Sequence, residues 1–202
     1  MAITPKQFEQ LQARLSGGRH VPSPVLETAP RSQSNTTRIV IGIDPSLRGT
    51  GYGIIQTAKP SHRALAHGTI VCPAGWERSR CLAHIARTLR DVITRHNPGA
   101  CAIEGLFYAQ NLQTALIMGE ARGAALSALG EAGLEIFEIA PRKVKQAIIG
   151  YGAAQKHAVG KMVQRLLQLP EPPAPDAADA LAIALAYLHE TSRYSFSASK
   201  RV

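Results

Sequence analysis

The feature that most constrains this chain is a strand that ends on an acid. Ile39-Val40-Ile41-Gly42-Ile43 is an almost unbroken apolar run rich in β-branched residues, which suits a strand covered on both faces. Asp44 follows at once, and Pro45 cannot donate to a sheet ladder, so the strand stops with a carboxylate at its mouth. Gly49, Gly51 and Gly53 then punctuate a turn into a second strand, Tyr52 to Thr57. A charge at the end of a buried strand is costly unless something pairs with it. An Asp that merely caps a turn is the plain alternative at this point.

Downstream, His62 to Val71 predicts a third strand, and Glu77 to His96 a helix with Leu82, Ile85, Leu89 and Ile93 at helical spacing. Asn97-Pro98-Gly99 stops that helix. Ala100-Cys101-Ala102-Ile103-Glu104 is a short apolar strand that again ends on a carboxylate. If these two strands are parallel neighbours about 4.8 Å apart, their acids converge at one edge of the sheet, where open sheets with helical crossovers place their sites. A long helix is expected between Gln110 and Gly130, with Leu112, Leu116, Ile117, Leu126 and Leu129 on it. Its row of small residues, Ala115, Gly119 and Gly123, allows close approach to the sheet or to a second copy of the helix, packing within the chain being the simpler reading. Leu134 to Ile139 predicts a fifth strand, and Pro141 stands in the first turn of another helix. The expected fold is α/β, with three antiparallel strands followed by alternating helices and strands in one mixed five-stranded sheet.

A chain of 202 residues holds one sizeable core. The expected organisation is a flexible extension over 1–37, one domain over 38–190 and a short tail over 191–202. Residues 5–15 of the extension could form a short amphipathic helix before Gly17-Gly18 and a Pro-rich stretch. The net charge of +9 and pI near 9.9 favour a polyanionic partner, and nucleic acid before membrane, since no apolar run is long enough to span one. Cys72, Cys81 and Cys101 are odd in number and lack metal-ligand spacing. They read as buried, reduced thiols, and with no secretory signal pattern the expected location is cytoplasmic. From Arg142 to Leu169 the bases Arg142, Lys143, Lys145, Lys156, Lys161 and Arg165 occur without one acidic residue, split by Gly150-Tyr151-Gly152. A solvated helix face usually mixes both signs, so this reads as a phosphate-facing surface.

The last helix decides the chemistry. Asp176-Ala177-Ala178-Asp179-Ala180-Leu181-Ala182-Ile183-Ala184-Leu185-Ala186-Tyr187 is apolar on nearly every side and therefore buried, while its two acids, three residues apart, share one face of the first turn. A helix N-terminus favours an acid by less than about 1 kcal/mol. Clustered, partly desolvated carboxylates cost more than that, so a divalent cation accounts for them better. Oxygen-only donors point to Mg²⁺.

Read in order, Ile41-Gly42-Ile43-Asp44-Pro45 with Thr50-Gly51-Tyr52-Gly53, Ala102-Ile103-Glu104 with Phe107, Ala121-Arg122-Gly123, Val144-Lys145-Gln146 and the Asp176 to Ala182 run resemble the RuvC family of bacterial Holliday-junction resolvases. The resemblance extends from about Arg38 to His189. It implies an RNase H-like fold, a homodimer, incision of opposing strands of a four-way DNA junction in recombination and repair, and work alongside the RuvA-RuvB branch-migration machinery. It also implies that Asp44, Glu104, Asp176 and Asp179 are the catalytic, metal-binding acids. Two Mg²⁺ ions per site, with Mn²⁺ able to substitute, would activate a water for in-line attack and leave 5′-phosphate ends. Lys145 and Lys156 match lysines near the cleaved backbone. Arg142, Lys143 and Lys161 are expected to be general backbone contacts. Phe107 matches an aromatic inserted among unpaired bases, with Tyr108 beside it as a second DNA contact; ordinary packing is the alternative for both. Ser46 departs from the family's usual glycine after Asp-Pro.

Three other readings compete. The Gly42-Ile43-Asp44 turn also resembles the first phosphate loop of actin-like kinases and ATPases, but those require a second domain and phosphate motif. A junction-binding protein without catalysis would not need four intact acids. An RNase H-like nuclease acting on another branched or hybrid substrate is poorly distinguished by sequence.

Overall fold

The structure is a computed structural model that describes residues 38–105, 111–150, 156–192 and 200–202, the side chains of residues 156, 157, 192 and 200 excepted. The predicted extension over 1–37, Phe107, Tyr108 and most of the 191–202 tail lie outside the described residues. So do the second half of the Gly150-Tyr151-Gly152 turn and the Lys156 side chain.

Six strands form one sheet in the order β3-β2-β1-β4-β5-β6. β1 (Ile39–Asp44) pairs antiparallel with β2 (Gly49–Gln56), and β2 antiparallel with β3 (Arg63–Val71). α1 (Arg78–His96) then crosses to β4 (Ala100–Glu104), which lies parallel to β1. α2 (Leu112–Glu131) leads to β5 (Glu135–Ile139), parallel to β4. α3 (Pro141–Ile149), α4 (Lys156–Leu166) and α5 (Pro175–Ser192) follow. The five expected strands are all present in the expected senses. The sixth, β6 (Lys200–Arg201), was unforeseen: two residues within the predicted tail pair antiparallel with Phe137 and Glu138 of β5. Too short to carry an alternating pattern, it is defined by its pairing, the Arg201–Glu135 ion pair and the Arg201 guanidinium over the Phe137 ring.

Why the strands read as continuous apolar runs is clear from what covers them. One face of the sheet carries Val40, Ala102 and Ile139 against α3, α4 and α5, the other Ile41, Ile43, Ile54 and Ile103 against α1 and α2. Side chains alternate along a strand, so Asp44, two residues beyond Gly42 and four beyond Val40, belongs to the α5 face, as Glu104 does two residues beyond Ala102. α1 buries Cys81, Ile85, Leu89 and Ile93, the expected stripe apart from Cys81, and ends at Asn97 in the left-handed conformation (φ 45°). α5 is buried almost without interruption from Ala177 to Leu188.

The small-residue row of α2 differs from the simpler expectation. The helix packs inward through Ala121, Ala125, Ala128 and Leu129. A Cβ added at Gly119 or Gly123 would meet nothing within 4 Å. Leu112 and Leu116 are 77% and 58% exposed. The row therefore does not serve packing inside the chain among the described residues.

Candidate active site

The sheet brings the first two acids together by register. Ile43 lies opposite Ile103 in the parallel β1–β4 pair, so Asp44 and Glu104, each the next residue along, end adjacent strands at the same edge and on the same face. The N-terminus of α5 descends onto that edge. Asp44 is paired in register with Gly51 on its other side, and a Cβ at Gly51 would collide with the backbone carbonyl of Asp176. A Cβ at Gly49 would come within 2.7 Å of the Asp176 Oδ2. The glycines of the β1–β2 turn are thus clearance for the helix that delivers Asp176 and, one turn on, Asp179. In the sequence these glycines mark only the turn.

Shared negative charge marks the cluster. Burial, together with the charges of Glu104, Asp179 and Asp176 and a hydrogen bond with Glu104, pushes the Asp44 carboxyl up from 3.8 to about 8. The other three predicted acids therefore all act electrostatically on Asp44, although they lie up to 135 residues from it in the chain. No three His, Cys, Asp or Glu side chains among the described residues are gathered tightly enough to form a finished metal cage. The donors nevertheless suit a hard divalent cation: they are carboxylate oxygens, and the proton forced onto Asp44 is what a cation would replace. Thr69, opposite Gly51 in the β2–β3 register, adds a buried hydroxyl oxygen that has no hydrogen-bond partner among the described residues. Its methyl lies 3.6 Å from where a Gly49 Cβ would stand, beside Asp176. Thr69 belongs to no motif, and only the strand pairing could have found it.

The turn after Asp44 is held by Thr50, which is fully buried. Its hydroxyl donates to the Ser46 carbonyl at 2.6 Å and accepts from the Ser46 N–H at 3.2 Å. Both bonds use the Ser46 backbone, and Ser46 is not among the residues with positive φ. A side chain in place of glycine is therefore accommodated without strain beside the first acid.

Of the predicted basic contacts, Arg142 and Lys161 are exposed and Lys145 half-buried. Lys143 forms an ion pair with Glu190 of α5 (3.1 Å), a partner the sequence pattern did not suggest. Lys156 opens α4.

The match that decides the family covers most of this framework: the family model described as crossover junction endodeoxyribonuclease RuvC matches residues 40–187. The chain belongs to the RuvC family. A RuvC relative from Coxiella burnetii is 49% identical over 158 residues, 78% of this chain and 90% of the relative. One from Akkermansia muciniphila is 44% identical over 149 residues, 74% of this chain and 89% of the relative. Among solved structures, T. thermophilus RuvC in complex with a Holliday junction substrate superposes with a TM-score of 0.75 at 32% identity, covering 82% of this chain and 99% of that one. The RuvC membership and the mixed sheet flanked by helices agree with the RNase H-like expectation.

Proposed function

We propose that this RuvC-family chain is a structure-selective endodeoxyribonuclease that resolves four-way DNA junctions during recombination and repair. The observation that carries the reading is the convergence of Asp44, Glu104, Asp176 and Asp179 at one sheet edge, where burial first and then the three neighbouring acids hold a proton on Asp44. The relatives' common name, crossover junction endodeoxyribonuclease, supports the same activity.

Asp44, Glu104, Asp176 and Asp179 would hold divalent cations, Mg²⁺ first and two per site, with Mn²⁺ as a substitute. Such ions, when bound, supply an activated water and stabilise a departing 3′ oxygen. The chain's own part is to aim the carboxylates, exclude bulk water with the underside of α5, and present phosphate-binding cations. Lys145 and Lys156 are assigned to the backbone near the cut, and Arg142, Lys143 and Lys161 to more general phosphate contacts. Phe107 and Tyr108, which fall between β4 and α2 in the sequence, are assigned to the junction centre.

Paired incision requires two sites, and the open face of α2 supports a homodimer. Leu112, Leu116, Gly119 and Gly123 recur at three- and four-residue spacing, and small residues there admit a second helix backbone at close range. The RuvA-RuvB complex is the proposed working partner. Among the described residues no helix is long and apolar enough to cross a membrane, and a cytoplasmic place of action is proposed. The nuclease domain is taken to span 38–190.

A cleavage panel of four-way, three-way, duplex and RNA–DNA hybrid substrates, with and without Mg²⁺, tests the proposal. Symmetric, Mg²⁺-dependent cutting confined to the four-way junction is expected. Equal cleavage of duplex and junction at matched salt would instead make this an RNase H-like nuclease of another substrate class.

A further inference from the structure

The motif Ala121-Arg122-Gly123 contributes no acid or phosphate contact to the site, yet Arg122 is the one charged residue among the described residues that is buried, at 5% exposure. A guanidinium withdrawn from water is costly unless its donors are matched. Arg122 matches them at two places. Nη2 donates to Glu138 Oε2 at 2.6 Å, in an ion pair whose carboxylate is itself largely covered. Nη1 donates to the backbone carbonyl of Glu104.

That second acceptor is the main chain of a proposed metal ligand. Glu104 is the last residue of β4, and beyond it the sheet offers one more tie, the Gly105 N–H donating to the Ile139 carbonyl at 2.9 Å. Glu138 lies opposite Ile103 in the β4–β5 register, and its side chain closes on Gly105, where an added Cβ would meet its Cγ at 3.2 Å. Side-chain alternation puts Glu138 and Arg122 on the α1/α2 face, while the Glu104 side chain faces α5. The guanidinium thus holds the Glu104 peptide from behind, anchored to α2 on one side and β5 on the other.

We propose that Arg122 and Glu138 form a clamp that sets the aim of the Glu104 carboxylate, so that Arg122 is a positioning residue for cation binding. The inference rests on the reading of Glu104 as a metal ligand. Partners that orient a ligand without touching the metal typically change affinity or activity by about 10–100-fold when removed. An ammonium is a point charge without the rigid planar fork that spans the two acceptors, which makes lysine an incomplete substitute.

The test uses Arg122→Lys, Glu138→Gln and Glu104→Gln in the full chain. Binding of Mn²⁺ to the DNA-free protein is followed by the electron paramagnetic resonance of free Mn²⁺, beside thermal unfolding, metal-free junction binding and single-turnover cleavage. Arg122→Lys is expected to bind Mn²⁺ roughly tenfold more weakly, with metal-free junction affinity within about twofold of the parent and cleavage partly recovered by raised Mn²⁺. Glu138→Gln should move in the same direction by a smaller factor, and it decides the question if Arg122→Lys fails to fold. Folded Arg122→Lys and Glu138→Gln variants with parental Mn²⁺ affinity overturn the clamp, provided Glu104→Gln has lost affinity. Unchanged Mn²⁺ binding in Glu104→Gln overturns the ligand assignment beneath it.

Discussion

Asp44 shows how far one residue is governed by its neighbours. In the folded chain it holds its proton up to about pH 8, whereas an unfolded chain releases it near 3.8. Between those values the native state binds more protons, so stability without metal falls as pH rises from about 4 to about 8 and levels off above. Cation binding must expel that proton, so apparent Mg²⁺ affinity should rise over the same window. Thermal unfolding of the metal-free protein against pH, with and without Mg²⁺, measures both slopes. Asp44→Asn should flatten the stability slope and reduce cleavage by at least a hundredfold while leaving junction binding intact; retained cleavage would remove Asp44 from the chemistry. Phe107→Ala is expected to cut weakly while unfolding at the parental temperature. A large drop in that temperature would assign Phe107 to packing.

At the scale of elements, the site is a strand edge met by a helix end. Gly51→Ala places a methyl against the Asp176 carbonyl, so α5 must shift. Urea denaturation should show a loss of about 1–3 kcal/mol, the usual cost of overfilling a packed interface, with cleavage falling further than stability alone explains. These elements were legible in the sequence because each carries its own period: the apolar run of β1, the stripe of α1, the all-round apolarity of α5. The four acids were legible because two end strands and two open a helix. What could not be read there depended on pairing partners. Thr69 gains meaning only opposite Gly51, Arg122 only behind Glu104, and Lys143 only beside Glu190. The α2 glycines were assigned to inward packing because composition records that a residue is small, not which way its face turns.

For the whole molecule, the open stripe on α2 and the basic surface make separate demands. Leu116→Glu should convert the proposed dimer to monomers in sedimentation velocity and replace paired incisions by single nicks, with the unfolding curve of the protomer little changed. A variant that stays dimeric would move the interface elsewhere. Junction affinity should fall steeply with salt, and charge removal at Arg142 or Lys161 should lower that slope by roughly one unit each. The placement of α5 also has a bearing on synthesis. The helix arrives after Asp44 and Glu104 have long been made, and it both covers one sheet face and brings the remaining two acids. C-terminal deletions ending anywhere before Leu188 should therefore lose solubility and cleavage at the same endpoint. On that outcome, unfinished or truncated products of translation are no hazard to the chromosome, because the helix that completes the proposed cutting site is the one that completes the core.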